Sequence, residues 1–131
     1  MAVITIKKVS ERYAVTQDAL RYYERAGMIP SVTRTAGGIR DYQEEDLAWV
    51  ELALCMRSAG LSVEAISEYV RLALLGDGTI KDRLALLQSQ REGLLEQQSQ
   101  IAQALERLNY KIARYEEALK TGTLNWNKGD D

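Results

Sequence analysis

Arg21, Tyr22 and Tyr23 follow closely on Thr16-Gln17, and twelve residues after Tyr22 a second group begins with Arg34 and continues through Gly37-Gly38 to Arg40 and Tyr42. A guanidinium binds phosphate as a charged fork of donors, and tyrosine adds a hydroxyl on an apolar ring. Two cationic-aromatic groups so close in sequence suit a surface that holds nucleic-acid backbone and reads a groove. Residues 7–40 carry seven Lys/Arg against three acids, a balance of +4, whereas residues 41–131 sum to −6 and the whole chain to −2. The local balance is the one that matters, because counterion release depends on the contacting residues. On charge alone, the same segment reads equally well as a solvated surface.

Other chemistry is narrowly bounded. The chain has no histidine and one cysteine, Cys55. That removes Ser-His-Asp and Cys-His catalysis, imidazole general bases and most zinc sites. We expect no catalytic residues, no metal and no cofactor. A lone cysteine also excludes an intramolecular disulfide and fits a reducing compartment. The 131 residues, 46% of them apolar, suffice for one compact domain or a small domain with an appendage. No apolar run approaches the ~18 residues needed to span a bilayer, and no signal peptide opens the chain, so a cytoplasmic protein without membrane contact is expected.

The elements that must position these groups can be read in order. Val3-Ile4-Thr5-Ile6 is β-prone and predicts a short strand ending near Thr5, which caps a first helix to about Tyr13. Thr16 is a good N-cap for a second helix from Gln17 to about Ala26, with Asp18 in its first turn and Gly27 suited to a left-handed stop. Two helices joined by a tight turn make a helix-turn-helix. Ala19, Leu20 and Tyr23 can pack inward, while Gln17, Asp18, Arg21, Tyr22 and Arg25 can face outward. After Pro30, residues 32–42 predict a β-hairpin turning near Gly37-Gly38, a wing with Tyr42 at its base. A third helix, about Glu44 to Ala59, opens on acids that suit its positive end and is apolar almost all round. Gly60 ends it, and Ser62 opens a fourth helix to about Leu75.

Gly76-Asp77-Gly78 reads as a linker. Beyond it, Ile80, Leu84, Leu87, Arg91, Leu94, Gln98, Ile101, Leu105, Leu108, Ile112, Tyr115 and Leu119 alternate spacings of four and three, and ten of the twelve are apolar. That is a coiled-coil seam. A helix of this length reaches ~60 Å, too far to bury its stripe on a 75-residue domain, so a second copy is the simplest partner, antiparallel or parallel. Arg91 and Gln98 would set the register. Trp126, in the tail after Gly122, is an unexpected side chain for solvation alone.

These pieces together resemble the MerR family of bacterial transcription regulators. The residues that carry the resemblance are Ile4-Thr5-Ile6, Val15-Thr16, Leu20-Arg21-Tyr22-Tyr23-Glu24, Gly27-Met28-Ile29, then Arg34, Gly38, Arg40 and Tyr42, then Glu44-Glu45-Asp46-Leu47 and Gly60 to Ile66. They span about residues 3–70, and the long helix matches the family's dimerisation element in kind more than in sequence. The resemblance implies a mainly α fold: a winged helix-turn-helix over residues 1–75, a linker at 76–79, a long antiparallel coiled-coil dimerisation helix over 80–119 and a tail at 120–131. It implies a homodimer on double-stranded promoter DNA that distorts an over-long spacer and so aligns elements contacted by RNA polymerase, allowing repression and activation from one site. The deformation costs ~1–6 kcal/mol for moderate bends, drawn from contact energy. Carried onto this sequence, DNA contacts fall to Thr16, Gln17 and Arg21 on the groove-facing side, with Arg21 for a base or a phosphate, to Tyr22 and Tyr23 for the backbone, and to Arg34 and Arg40, helped by Tyr42, for flanking phosphates. Surface ion pairing for the arginines, and core packing for Tyr23 and Tyr42, are the alternatives.

The resemblance also bears on the signal. Metal-sensing members place cysteines near the end of the long helix, where this sequence has none, and drug-binding members carry a further domain. The chain is most similar to a short aldehyde- and thiol-stress-responsive subgroup with one cysteine in the third helix, where Cys55 stands, and its Thr121-Gly122-Thr123 to Trp126-Asn127 tail resembles theirs. Read from the residues alone, Cys55 among Leu52, Leu54 and Met56 is better explained by packing, and a buried thiol is inert. Arg57 lies roughly 200° round the helix from it. Other readings stay open: an effector-independent, excisionase-like architectural DNA-binding protein, a MerR-type regulator sensing a small ligand without cysteine chemistry, and a pure coiled-coil interaction protein.

Overall fold

The computed structural model describes residues 2–126 and is helical throughout its regular parts. In order come α1 (Ile6–Tyr13), α2 (Gln17–Arg25), α3 (Glu44–Ser58), α4 (Val63–Leu74), a 3-10 turn (Asp77–Thr79) and α5 (Ile80–Thr121). Each of the first four starts where a side chain supplies an acceptor. Thr5, Thr16 and Ser62 accept from Lys8, Ala19 and Ala65, and at α3 the Asp46 carboxylate takes the backbone N–H of Gln43 at 2.8 Å. The stops are equally local. Gly27 and Gly60 sit at φ +79° and +95°, and the N–H groups of Met28 and Leu61 reach back to the carbonyls of Tyr23 and Met56.

Two compact units divide within α5, one from Met1 to Gln90 and one from Arg91 onward. In the first, Val9 of α1, Leu20 of α2, Ile29 and Val32 of the following segment, Tyr42, and Leu47, Val50 and Ala53 of α3 form a single core cluster. Each fully buried Val, Leu or Ile side chain of this kind stabilises by ~1.5–3 kcal/mol. The buried apolar residues of α3, Leu47, Val50, Ala53 and Met56, recur every third position, so this helix buries one stripe although apolar residues surround it. Trp49 and Leu54 pack half-buried at the edge, and Cys55 is exposed.

Two expectations about strands need correction. Among the described residues no strand forms. Residues 3–6 run extended, but Ile4 accepts one backbone bond from Tyr42 (3.0 Å) and donates to the Asp41 carboxylate (3.1 Å). A side chain thus occupies the place where a second ladder bond would be. The wing is a hairpin reduced to one antiparallel bridge, Arg34 to Arg40. Thr35 N–H bonds Ile39 O and Asp41 N–H bonds Thr33 O, both at 2.8 Å. Between them a three-residue loop closes with Gly38 at φ +84°. Residues 76–79, read as a linker from composition, form a hydrogen-bonded corner. The Thr79 hydroxyl donates to Leu72 O at 2.6 Å and accepts from Arg83 Nε at 3.1 Å.

In the second unit the helix continues to Thr121, and Gly122 at φ +80° ends it. The chain then folds back. Arg114 donates to Asn125 O, and the Trp126 ring meets Tyr115 edge-on at 5.9 Å with Lys111 Nζ 5.1 Å above it. Asn127, the last residue of the tail resemblance, lies outside the described residues. No residue of α5 is buried, and Ile80, Leu84, Leu105, Leu108, Ile112 and Tyr115 are all at least 47% exposed.

Candidate nucleic-acid interface

The expected DNA-contacting residues fall into three environments. The first is the exposed side of α2. Thr16 caps the helix, its Oγ1 accepting from Ala19 N–H at 3.0 Å, and so points at the helix's positive end. One turn later Arg21 bonds the Asp18 carboxylate at 2.9 Å and Gln17 Oε1 at 3.3 Å. All three polar groups therefore stand on one face in a mutually ordered cluster. The ion pair within it is exposed and contributes little to stability. Tyr22 is 41% exposed, with the Arg25 guanidinium 5.4 Å from its ring centre.

The second environment is the wing. Arg34 and Arg40 oppose each other across the bridge, and both are drawn toward one carboxylate, Glu24 of α2. Arg40 Nε lies 2.9 Å from Glu24 Oε1 and Arg34 Nη2 lies 3.6 Å from it. The other oxygen, Oε2, accepts from Val32 N–H at 2.7 Å. Arg34 also reaches the tip, donating to Gly38 O at 3.1 Å. The recognition-type helix and the wing are thus joined through a side chain to which the sequence reading gave no role. Its signal was present, since Glu24 directly follows the two tyrosines and is an acid in the last turn of a helix, where the dipole disfavours it. Asp46 is a second such residue, 9% exposed, joining the start of α3 to Thr33 N–H at 3.4 Å.

The third environment is the interior. Tyr23 is half-buried against the core. Tyr42 is completely buried, so the expected DNA contact from it gives way to the packing alternative. Its hydroxyl has no hydrogen-bond partner among the described residues, and burial raises its pKa above the usual 10.0, with nearby Arg40 opposing that shift. Cys55 is far from all this in kind. It is an exposed thiol on α3 and does not pack into the core of the single chain. Among the described residues no cluster of acids or cysteine could hold a metal ion. No helix there is long and apolar enough to cross a membrane.

Comparison with known proteins follows the same outline. The profile of the MerR HTH family regulatory proteins matches residues 4–73, which is the capped helix pair, the wing and the next two helices. The chain is 47% identical to the transcriptional regulator AdhR of Bacillus subtilis over 71% of this chain and 66% of that protein. It is 31% identical to an HTH-type regulator of Haemophilus influenzae over 92% of this chain and 89% of that one. Among solved structures, a MerR family regulator from Listeria monocytogenes superposes with a TM-score of 0.81 at 40% identity, covering 90% of this chain and 89% of its own. HiNmlR, a MerR family regulator lacking the sensor domain and solved on promoter DNA, gives 0.77 at 30% identity over 94% and 98%. The agreement of profile, relatives and fold over these same elements places the chain in the MerR family of helix-turn-helix transcriptional regulators.

Proposed function

We propose that the protein is a homodimeric regulator that binds promoter DNA through α2 and the wing and distorts it. The observation that carries this reading is the exposed cationic-aromatic face itself: Arg21 and Tyr22 on a capped helix, with Arg34 and Arg40 fixed beside that helix through Glu24. It is supported by HiNmlR, a relative without a sensor domain that was solved on promoter DNA. A second copy docks along the seam of residues 80–119, most of whose apolar side chains are exposed in the single chain. Two heads joined in this way suit a pseudo-palindromic site, and bending that site aligns the elements contacted by RNA polymerase. Cys55 is the entry point we assign to the signal, because its exposed thiol can be reached by an electrophile.

The deciding experiment is fluorescence anisotropy on duplex from the protein's own upstream region across a salt series. Binding should weaken steeply with salt, and Arg21→Ala should cost about 1–3 kcal/mol. Failure of the unaltered protein to bind any duplex at about 50 mM salt overturns the reading.

A further inference from the structure

We propose that Glu24 is a positioning residue for DNA binding, holding Arg34 and Arg40 in place so that removing this acid weakens DNA binding instead of strengthening it. The inference rests on the DNA-binding reading above. Two general arguments speak against an acid here. It sits in the last turn of α2, at the negative end of the helix dipole, and beside a surface meant for phosphates. On charge alone, its removal should raise affinity.

The geometry points the other way. The Glu24 side chain is only 11% exposed, so it is not a solvated surface acid. Its two oxygens serve different ends of the wing. Oε2 holds the root, at Val32 N–H, while Oε1 faces Arg40 on one arm and Arg34 on the other. Arg40 is met at Nε, the inner nitrogen of the fork, so its terminal nitrogens remain available to a phosphate. The wing's backbone is held by a single bridge and the two 2.8 Å bonds beside it, but those bonds do not fix the direction of the long arginine side chains. An arginine free on such a loop must be ordered when phosphate binds, and that ordering subtracts from affinity. A buried carboxylate that orders two arginines beforehand removes the loss.

The test is the same salt-series anisotropy on four proteins: unaltered, Glu24→Gln, the Arg34→Ala/Arg40→Ala double variant, and all three substitutions together. Glu24→Gln should weaken binding about tenfold although it adds net positive charge, and should lower the salt slope by about 1–2. In the background without the two arginines it should change nothing further, which a general loss of folding would not produce. Glu24→Asp keeps the charge but shortens the reach, and it should also weaken binding; it carries the same cycle if a thermal melt shows Glu24→Gln unfolded. Equal or tighter binding by these variants, or the same loss in both backgrounds, overturns the proposal. If the unaltered protein binds no duplex, this inference falls together with the proposed function, whereas normal binding with unresponsive variants removes this inference alone.

Discussion

The Tyr42 hydroxyl is buried with no hydrogen-bond partner among the described residues, a cost that the ring's burial offsets. Tyr42→Phe should therefore leave the urea-unfolding free energy unchanged or raise it by up to about 1 kcal/mol, and leave DNA affinity intact. Burial raises this phenol's pKa above 10.0, and burial followed by the Glu51 hydrogen bond raises that of Tyr13. A raised folded value means that the stabilisation is complete below about pH 10 and declines as pH climbs through it. The alkaline fall in Tm should thus be shallower in Tyr42→Phe. Cys55 poses the opposite question, since its thiol is open to reagents. In a reporter strain, Cys55→Ser should abolish induction by formaldehyde while sparing DNA binding, and normal induction would remove the sensor role. The sequence showed that tyrosines and a cysteine were present, but not which faced water. For Tyr42 that depends on the helices that close over it. For Cys55 it depends on which of the apolar residues surrounding α3 face the core: the buried stripe runs through 47, 50, 53 and 56, and position 55 lies off it.

At the scale of elements, helix ends were the most legible features because they are written locally. Thr16 before Gln17, Ser62 before Val63 and Gly27 after Ala26 each act within a few residues of themselves. The wing was less legible. Its turn was evident from Gly37-Gly38, but the number of ladder bonds was not, because Asp46 takes the Thr33 N–H that a longer hairpin would have used. Gly27 also has a role beyond ending α2. A Cβ added there would lie 2.9 Å from Ser67 Oγ of α4, in addition to the strain of φ +79°. Gly27→Ala should lower stability by about 1–2 kcal/mol in a urea titration, with the larger value if Ser67 cannot turn aside.

For the whole molecule, the informative fact is a 42-residue helix with no buried residue in the single chain. Its seam was legible because a repeat of four and three survives over many turns, whereas the partner that covers it is not written in any one residue. Leu108 stands in that stripe and is 53% exposed. Leu108→Lys should convert the dimer to a monomer in sedimentation, and with two-headed binding lost, DNA affinity should fall at least about a hundredfold. The two tryptophans give this assembly its own optical readout. Trp49 is half-buried at the edge of the core near the head, whereas Trp126 rests against Tyr115, a member of the seam. Dilution that separates two copies should therefore shift Trp126 emission and leave that of Trp49 steady. One unlabelled chain then reports dissociation and unfolding as separate fluorescence signals, resolved by replacing either indole with phenylalanine.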